Sequence, residues 1–153
     1  MTQAQIIKKY GQPDPKGSYL TVIDLPYPMR LAWDKNTIVK KMRCHKLAAE
    51  RFKKVFDEIL KVYGLKRIQE LGIDLFGGTF HYRQKRQGSS LSMHSWGLAI
   101  DLDPERNGMN TPVGKANFNK DEYKALRGIF KKNGFAWGGD LWGKDCMHWQ
   151  VID

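Results

Sequence analysis

Two stretches of the chain repeat apolar residues at the three- and four-residue spacing of an amphipathic helix. The first runs from Arg43 to Tyr63, with lysines between its apolar positions and Gly64 directly after it. The second runs from Asn119 to Gly134 and combines an asparagine-to-glutamate start signal, an apolar stripe and two closing lysines. Apolar side chains at this spacing share one helix face, and glycine commonly ends a helix. The pattern therefore predicts two helices.

Three short segments between and after these helices have alternating or β-prone residues. They are Thr79 to Arg83, Leu98 to Asp103 and Met147 to Ile152, each bounded by glycine, polar or loop residues. Such segments are typical of short strands. With the helices they predict an α+β fold, in which a small antiparallel sheet is flanked by helices. A chain of 153 residues has the length of one compact domain, and we expect residues 76–153 to carry its chemistry.

Residues 1–40 are rich in turn-forming residues. Gly11 to Gly17 contains two prolines between its glycines, and Leu25 to Arg30 contains two more prolines. Proline and glycine interrupt regular elements. We therefore predict a loop-rich N-terminal wrap that covers the flank of the core.

The chain has a strong positive charge. Its 26 lysines and arginines exceed its 16 aspartates and glutamates, which gives a formal net charge of +10. Such a charge attracts anionic partners over long range. Nucleic acid, anionic lipid and the acidic polymers of a bacterial envelope all fit this property, and so does a solvated basic surface without a specific partner.

No apolar run approaches the roughly 18 residues that a membrane-spanning helix needs. The opening stretch from Met1 to Tyr10 is polar and basic, without the apolar centre of a signal peptide. We therefore expect a chain that is made in the cytoplasm and has no transmembrane segment.

The most specific chemistry lies in two histidines and two carboxylates. Alternation from Leu98 to Asp103 turns Asp101 away from its apolar neighbours, and the loop before this segment brings His94 toward the same point. Two imidazoles and one carboxylate form a zinc site whose fourth position is free for water. We predict that His94, Asp101 and His148 bind one Zn²⁺ ion, with Asp145 as the general base for the water.

Other residues compete for these roles. Asp140 is a second candidate for the general base. Cys146 lies two residues before His148 and points to the same side of an extended segment, which makes it an alternative ligand. The other cysteine, Cys44, is distant in sequence, so we expect both thiols to be reduced.

Three residues near the predicted site are candidates for binding substrate. A guanidinium at Arg83 would hold a substrate carboxylate or a developing oxyanion beside zinc, and an ordinary surface arginine is the alternative. Ser92 either orients substrate or caps the turn before His94. Trp142 follows a glycine-rich segment and either forms a wall of the cleft or packs in the core.

The remaining histidines have no evident catalytic partner. Alternation places His81 on the same face as Arg83, where it is structural or supports the site. His45 falls within the first predicted helix, where we expect its side chain to be either packed against the core or exposed to solvent.

Four segments, taken in order, resemble the zinc peptidases of bacterial cell walls. This group includes D-alanyl-D-alanine carboxypeptidases, vancomycin-resistance dipeptidases and phage L-alanyl-D-glutamate endopeptidases. The resemblance covers the C-terminal half of the chain, from about Phe76. The matching segments are Tyr82-Arg83, Ser92-x-His94-x-x-Gly97-x-Ala99-x-Asp101, Gly134-Phe135-x-Trp137-Gly138-Gly139-x-x-Trp142 and Asp145-x-x-His148-Trp149.

The resemblance implies the same roles for the same residues. In the family, the residues that match His94, Asp101 and His148 bind zinc, the acid that matches Asp145 activates water, and the arginine that matches Arg83 assists substrate or transition-state binding. The dipeptidase branch looks to use glutamate in place of the aspartate. The aspartate and the Trp-Gly-Gly segment therefore favour the endopeptidase branch.

The resemblance also implies a setting. A short, basic member without a signal peptide resembles a phage endolysin that reaches peptidoglycan after the inner membrane is breached. We expect a monomer that acts on peptidoglycan stem peptides, is attracted to anionic envelope polymers and does not bind nucleic acid. A D-alanyl-D-alanine carboxypeptidase or dipeptidase is the alternative enzyme, and a non-catalytic basic binding domain is the alternative of another class.

Overall fold

A long β-hairpin dominates the first half of the fold. The computed structural model describes residues 1–83 and 90–153. Helix α1 (Gln3–Tyr10) precedes strands β1 (Leu20–Leu31) and β2 (Asp34–His45), which pair antiparallel over most of their length. Strand β3 (Leu75–Phe76) adds to the free edge of β1 in parallel. The first sheet is therefore mixed, in the order β2-β1-β3.

The predicted loop-rich wrap over residues 1–40 is wrong, because helix α1 and strands β1 and β2 together occupy most of this region. Pro26 and Pro28 lie within β1, where the pairing is interrupted between Asp24 and Met29. Proline has no N–H to donate, and such an interruption tolerates it. The prolines therefore mark an irregularity in a strand, not a loop.

The first predicted helix is confirmed, but its start is not. Helix α2 (Ala49–Glu70) begins six residues after Arg43, because Arg43 to His45 complete β2 opposite the start of β1. Gly64 has a non-helical conformation with φ of 74°, as its predicted role as a stop requires, and the chain resumes helical turns until Glu70. Pairing with β1 therefore overrides the helical periodicity at the start.

A second sheet lies in the C-terminal half. Strands β4 (Ala99–Asp101), β5 (Phe135–Trp137) and β6 (His148–Val151) are antiparallel, in the order β4-β6-β5. The predicted strand from Thr79 to Arg83 is wrong, since this segment has no strand and β5 takes the third place. The other two predicted strands are confirmed within their predicted bounds.

Helices α3 (Lys124–Lys132) and α4 (Gly138–Trp142) flank β5. Two short 3-10 turns replace the predicted start of α3. Phe130 on α3 stacks on Trp149 of β6 with ring centroids 4.2 Å apart. The α+β fold with a single core is thus confirmed, with two small sheets in place of one. None of the helices in residues 1–83 and 90–153 is both long and apolar enough to cross a membrane.

Candidate metal centre

A tight turn before β4 places His94. Ser92 caps a 3-10 turn from Met93 to Trp96, its hydroxyl accepting from the backbone N–H of His94 at 3.3 Å. Gly97 ends this turn in the left-handed region with φ of 68°. A Cβ on Gly97 would lie 2.6 Å from the side chain of Leu20. The turn therefore requires glycine, and it directs His94 back toward β4.

The structure brings His94, Asp101 and His148 together. Nε2 of His94 lies 3.2 Å from Oδ1 of Asp101, and Nδ1 of His148 lies 3.3 Å from the same oxygen. One ligand atom from each of the three residues lies within 4.8 Å of the others. Asp101 and His148 are paired across strands β4 and β6, so the sheet register itself fixes two members of the group.

The hydrogen bonds behind the two imidazoles fix their tautomers. Nδ1 of His94 donates to the carbonyl oxygen of Thr79 at 3.0 Å, because a carbonyl can only accept. Nε2 of His148 donates to the amide oxygen of Gln150 at 2.9 Å. In each neutral ring the other nitrogen then turns its lone pair toward Asp101. Such outer hydrogen bonds orient metal-binding histidines in proteins.

These donors fit a zinc ion. Two imidazole lone pairs and a carboxylate oxygen that face one another are all negative, so they repel unless a cation or protons lie between them. Ligands about 2.0–2.1 Å from a tetrahedral zinc ion are roughly 3.3–3.4 Å apart, which is close to the two distances from Asp101. Two histidines and one carboxylate are also a known ligand set of catalytic zinc, with one position left open.

The charges within the group support each other. Burial opposes ionisation of Asp101, but His94 and His148 outweigh it and lower the pKa of this carboxyl. Burial likewise disfavours protonation of His94, and the charge of Asp101 outweighs it, so that the pKa of His94 is raised. The group therefore attracts positive charge as a unit.

Asp145 lies beside this group, in the turn between α4 and β6. Its backbone is left-handed, with φ of 55°, and its carbonyl accepts from the N–H of His148 at 3.1 Å. Oδ1 of Asp145 is buried and has no hydrogen-bond partner among the described residues. Burial raises the pKa of this carboxyl, and the nearby charge of Asp101 adds to the rise while His148 opposes it. A carboxyl with an unpartnered oxygen is suited to take a proton from water or substrate.

A cavity of about 340 Å³ opens over this group. Arg83, Ser92 and Trp142, predicted from sequence to bind substrate, all line it with Asp101, Asp145 and His148. Ser92 caps the turn, as one of its two predicted roles requires, and it also lines the cavity, where the other role, orienting substrate, stays a prediction. The ring of Trp142 lies 5.4 Å from that of His148 and is 45% exposed, which makes it a wall of the cleft.

Four other candidates lie apart from the group. Asp140 is exposed on α4 and does not line the cavity, which removes the argument for it as the base. The side chain of His81 is exposed and does not line the cavity either. Cys146 is a buried free thiol outside the ligand group, and burial raises its pKa to about 11. His45 ends β2, not a helix, and stacks on Tyr19.

Several residues of the site were missed by sequence reasoning. Lys144 and Met109 line the cavity, and Thr79 orients His94 through its backbone carbonyl. Gln150 had a signal, since alternation in the last strand places it on the same side as His148. No sequence pattern marks a backbone carbonyl or a residue such as Met109, which lies in the irregular loop after β4.

Comparison with known proteins agrees with this geometry. Residues 85–151 match the family model described as D-alanyl-D-alanine carboxypeptidase, which confirms the resemblance stated from the motifs. Neither the curated proteins nor the solved structures contain a significant match to the chain. The family match implies a peptidase activity related to peptidoglycan. Over the segment that carries His94, Asp101, Asp145 and His148, the chain is thus similar to the D-alanyl-D-alanine carboxypeptidase family of zinc peptidases.

Proposed function

We propose that the chain hydrolyses an amide bond in the stem peptides of bacterial peptidoglycan, with a zinc ion held by His94, Asp101 and His148. One observation carries this proposal. Three donor atoms converge within 4.8 Å, and the hydrogen bonds to Thr79 and Gln150 leave both imidazole lone pairs directed at the same point.

The hydrolysis needs both the zinc ion and a group of the protein that transfers protons. A zinc ion in this position supplies Lewis-acid polarisation of the scissile carbonyl and a lowered pKa for a water molecule. Asp145 accepts a proton from the attacking water as its oxygen bonds to the carbonyl carbon. As the carbon–nitrogen bond breaks, Asp145 returns that proton to the leaving amine, so that one water is consumed and one amide gives an acid and an amine.

The walls of the cavity select the substrate. Arg83 and Lys144 both line the cavity and bring two positive charges beside the acidic general base. An arginine fork binds a carboxylate or an oxyanion through paired N–H groups. Trp142, Met93 and Met147 form apolar walls that remove water around the reacting amide.

We further propose that the scissile bond is the L-alanyl-D-glutamate bond and that the chain acts as a phage endolysin. Asp145 and the segment Trp137-Gly138-Gly139 support this bond, because both resemble the endopeptidase branch. Arg83 and Lys144 would serve either candidate substrate, since each substrate carries a carboxylate next to the amide. In this setting a monomer is made in the host cytoplasm and acts on the cell wall after release across the inner membrane. Its net charge of +10 would hold it near anionic envelope polymers.

A D-alanyl-D-alanine carboxypeptidase is the second candidate, favoured by the description of the matching family. Purified peptidoglycan digested with the zinc-loaded protein and analysed by mass spectrometry separates the two activities. New D-glutamate amino termini are expected for the endopeptidase, and released D-alanine would establish the carboxypeptidase instead. Intact peptidoglycan after exposure to a folded, zinc-loaded protein would refute both and leave a non-catalytic basic binding domain.

A further inference from the structure

A second cavity, which we call the hairpin groove, lies on the outer face of the β-hairpin. Its volume is about 400 Å³. Strands β1 and β2 contribute Val22 and the stretch from Lys41 to Arg43. The other wall comes from β3 and the chain just after it, and consists of Phe76, Gly78, Thr79 and Phe80. None of these residues lines the cavity over the metal centre. The hairpin groove is therefore a separate feature of the surface.

Cations and an aromatic ring are arranged together in the hairpin groove. The guanidinium of Arg43 lies over the ring of Phe80, 5.2 Å from its centroid. Among the described residues, no carboxylate lies within ion-pair distance of Arg43, whereas Lys41 is paired with Asp24 at 2.7 Å. A flat guanidinium on an aromatic ring keeps its N–H edges available for a carboxylate. The groove is thus suited to an anionic group next to an apolar or sugar surface.

The wall of the hairpin groove also supports the metal centre. The N–H of Gly77 donates to the carbonyl of Asp101 at 2.8 Å, and the carbonyl of Gly78 accepts from the N–H of Asp101 at 3.0 Å. The next carbonyl, that of Thr79, accepts from His94. The segment that begins at Gly77 therefore lies between the two features. Its backbone contacts Asp101 and His94, and its side chains line the hairpin groove. The hairpin groove and the metal centre are therefore joined through the backbone of residues 77–79.

We propose that the hairpin groove binds a carboxylate-bearing stretch of the peptidoglycan polymer, outside the stretch that is cleaved. The inference rests on the proposed function for the identity of the polymer. Arg43 binds the carboxylate and Phe80 packs against the adjoining sugar or peptide. The site therefore adds affinity for the insoluble wall without contacting a short soluble substrate.

The test compares two charge-neutralising variants of equal charge. Arg43→Gln removes the groove cation, and Arg67→Gln removes an exposed cation from α2. Binding of each zinc-loaded protein to purified peptidoglycan sacculi is measured by sedimentation, and hydrolysis of a soluble stem peptide is measured in parallel. We expect Arg43→Gln to weaken sacculus binding about five- to tenfold, and Arg67→Gln to change it less than twofold. Phe80→Leu, which keeps apolar volume, should weaken binding in the same direction.

The outcomes separate the groove from the active site. Equal sacculus binding by Arg43→Gln and Arg67→Gln would overturn the proposal. So would a matching loss of soluble-peptide hydrolysis in Arg43→Gln, because the groove would then belong to the catalytic site. If the wild type binds sacculi through Arg43 but cleaves no stem peptide, the proposed function fails and the binding site stands. Nucleic acid can be added as a competitor at the same concentration of negative charge. If it releases the protein from the sacculi, the groove binds a different partner and the proposal is rejected.

Discussion

Gly138 lies directly against the backbone carbonyl of Asp145. A Cβ on Gly138 would overlap that oxygen and approach the carbonyl of Lys144 to 3.1 Å. The start of α4 and the turn that carries the candidate base are therefore in contact through a position that has no room for a side chain. Gly138 thus has a structural function in the site.

Gly138→Ala should displace Asp145 while the zinc ligands stay in place. A displacement of the order of 1 Å at a catalytic group can lower the rate about a hundredfold. We expect kcat for stem-peptide hydrolysis to fall by about that factor, with zinc content unchanged by elemental analysis. Gly128→Ala is the control, because a Cβ at Gly128 on α3 meets no atom within 4 Å. Equal kinetics for the two variants would show that the contact does not position the base.

The two acidic candidates for the base can be separated directly. Asp145→Asn keeps size and polarity but cannot take a proton, so kcat should fall by about 10²- to 10⁴-fold. Asp140→Asn changes an exposed side chain outside the cavity and should leave kcat within twofold. The measurement is steady-state hydrolysis with zinc content recorded for each protein. Full activity of a zinc-loaded Asp145→Asn protein would contradict the assigned role.

Gln150 should control zinc affinity without touching the ion. Its amide oxygen accepts from Nε2 of His148 and so keeps the lone pair of Nδ1 directed at Asp101. Loss of such a partner typically weakens metal binding 10- to 100-fold. We expect about that loss for Gln150→Leu in a competitive zinc titration. Gln150→Glu keeps an acceptor and should bind zinc more tightly than Gln150→Leu, a ranking that a purely structural role would not produce.

The ion pair of Arg30 and Asp74 should matter to stability far more than surface pairs do. Nε and one terminal nitrogen of Arg30 donate to the two carboxylate oxygens at 2.7 and 2.9 Å, and the Asp74 side chain is 1% exposed. Arg30→Ala leaves a buried carboxylate unpaired, which costs about 3–5 kcal/mol. Lys53→Ala breaks the exposed pair with Glu50 and should cost less than about 1 kcal/mol. Urea unfolding of both variants measures the difference, and similar midpoints would refute it.

His45 should make the protein less stable in mild acid. Burial lowers its pKa in the folded protein, and although the Tyr10 carbonyl opposes the shift, Lys46 adds to it. Nδ1 of His45 accepts from the N–H of Leu47, so protonation there would break that bond. The unfolded chain then binds the proton more readily, with a pKa of about 6.5. The free energy of unfolding should therefore fall as pH drops below about 6.5, down to the lowered folded pKa.

Chemical unfolding of wild type and His45→Gln, both zinc-loaded, between pH 7.5 and 5 measures this contribution. Glutamine cannot be protonated in this range, so the variant should have the shallower pH dependence. If the free energy of unfolding depends on pH equally in the two proteins, His45 has the same pKa in the folded and unfolded chains and the prediction is wrong.

The convergence of the metal-centre residues was predictable because it depends on alternation within short segments. Alternation turns Asp101 and His148 away from the apolar side of their own segments, and Gly97 signals the turn that returns His94. Apolar spacing likewise identified α2 and α3. These features are local, so the order of residues along the chain contains enough information to find them.

Other features depend on contacts between distant parts of the chain. The prolines of β1 indicated loops, but pairing with β2 maintains the strand around them. The third strand of the second sheet is Phe135–Trp137 and not the segment after Thr79, because partners across the sheet decide which short segment joins it. The hairpin groove joins Arg43 to Phe80 for the same reason, and neither residue alone indicates a binding site.

The backbone contacts of the segment from Gly77 to Thr79 set a limit on how far the protein can be shortened. This segment forms three hydrogen bonds to Asp101 and His94, yet it precedes residues 85–151, which match the family. An expression fragment cut to the matched residues would lose these three hydrogen bonds, which orient two of the three candidate zinc ligands. We therefore expect that a fragment with an ordered site needs β3 and the β-hairpin on which β3 is assembled.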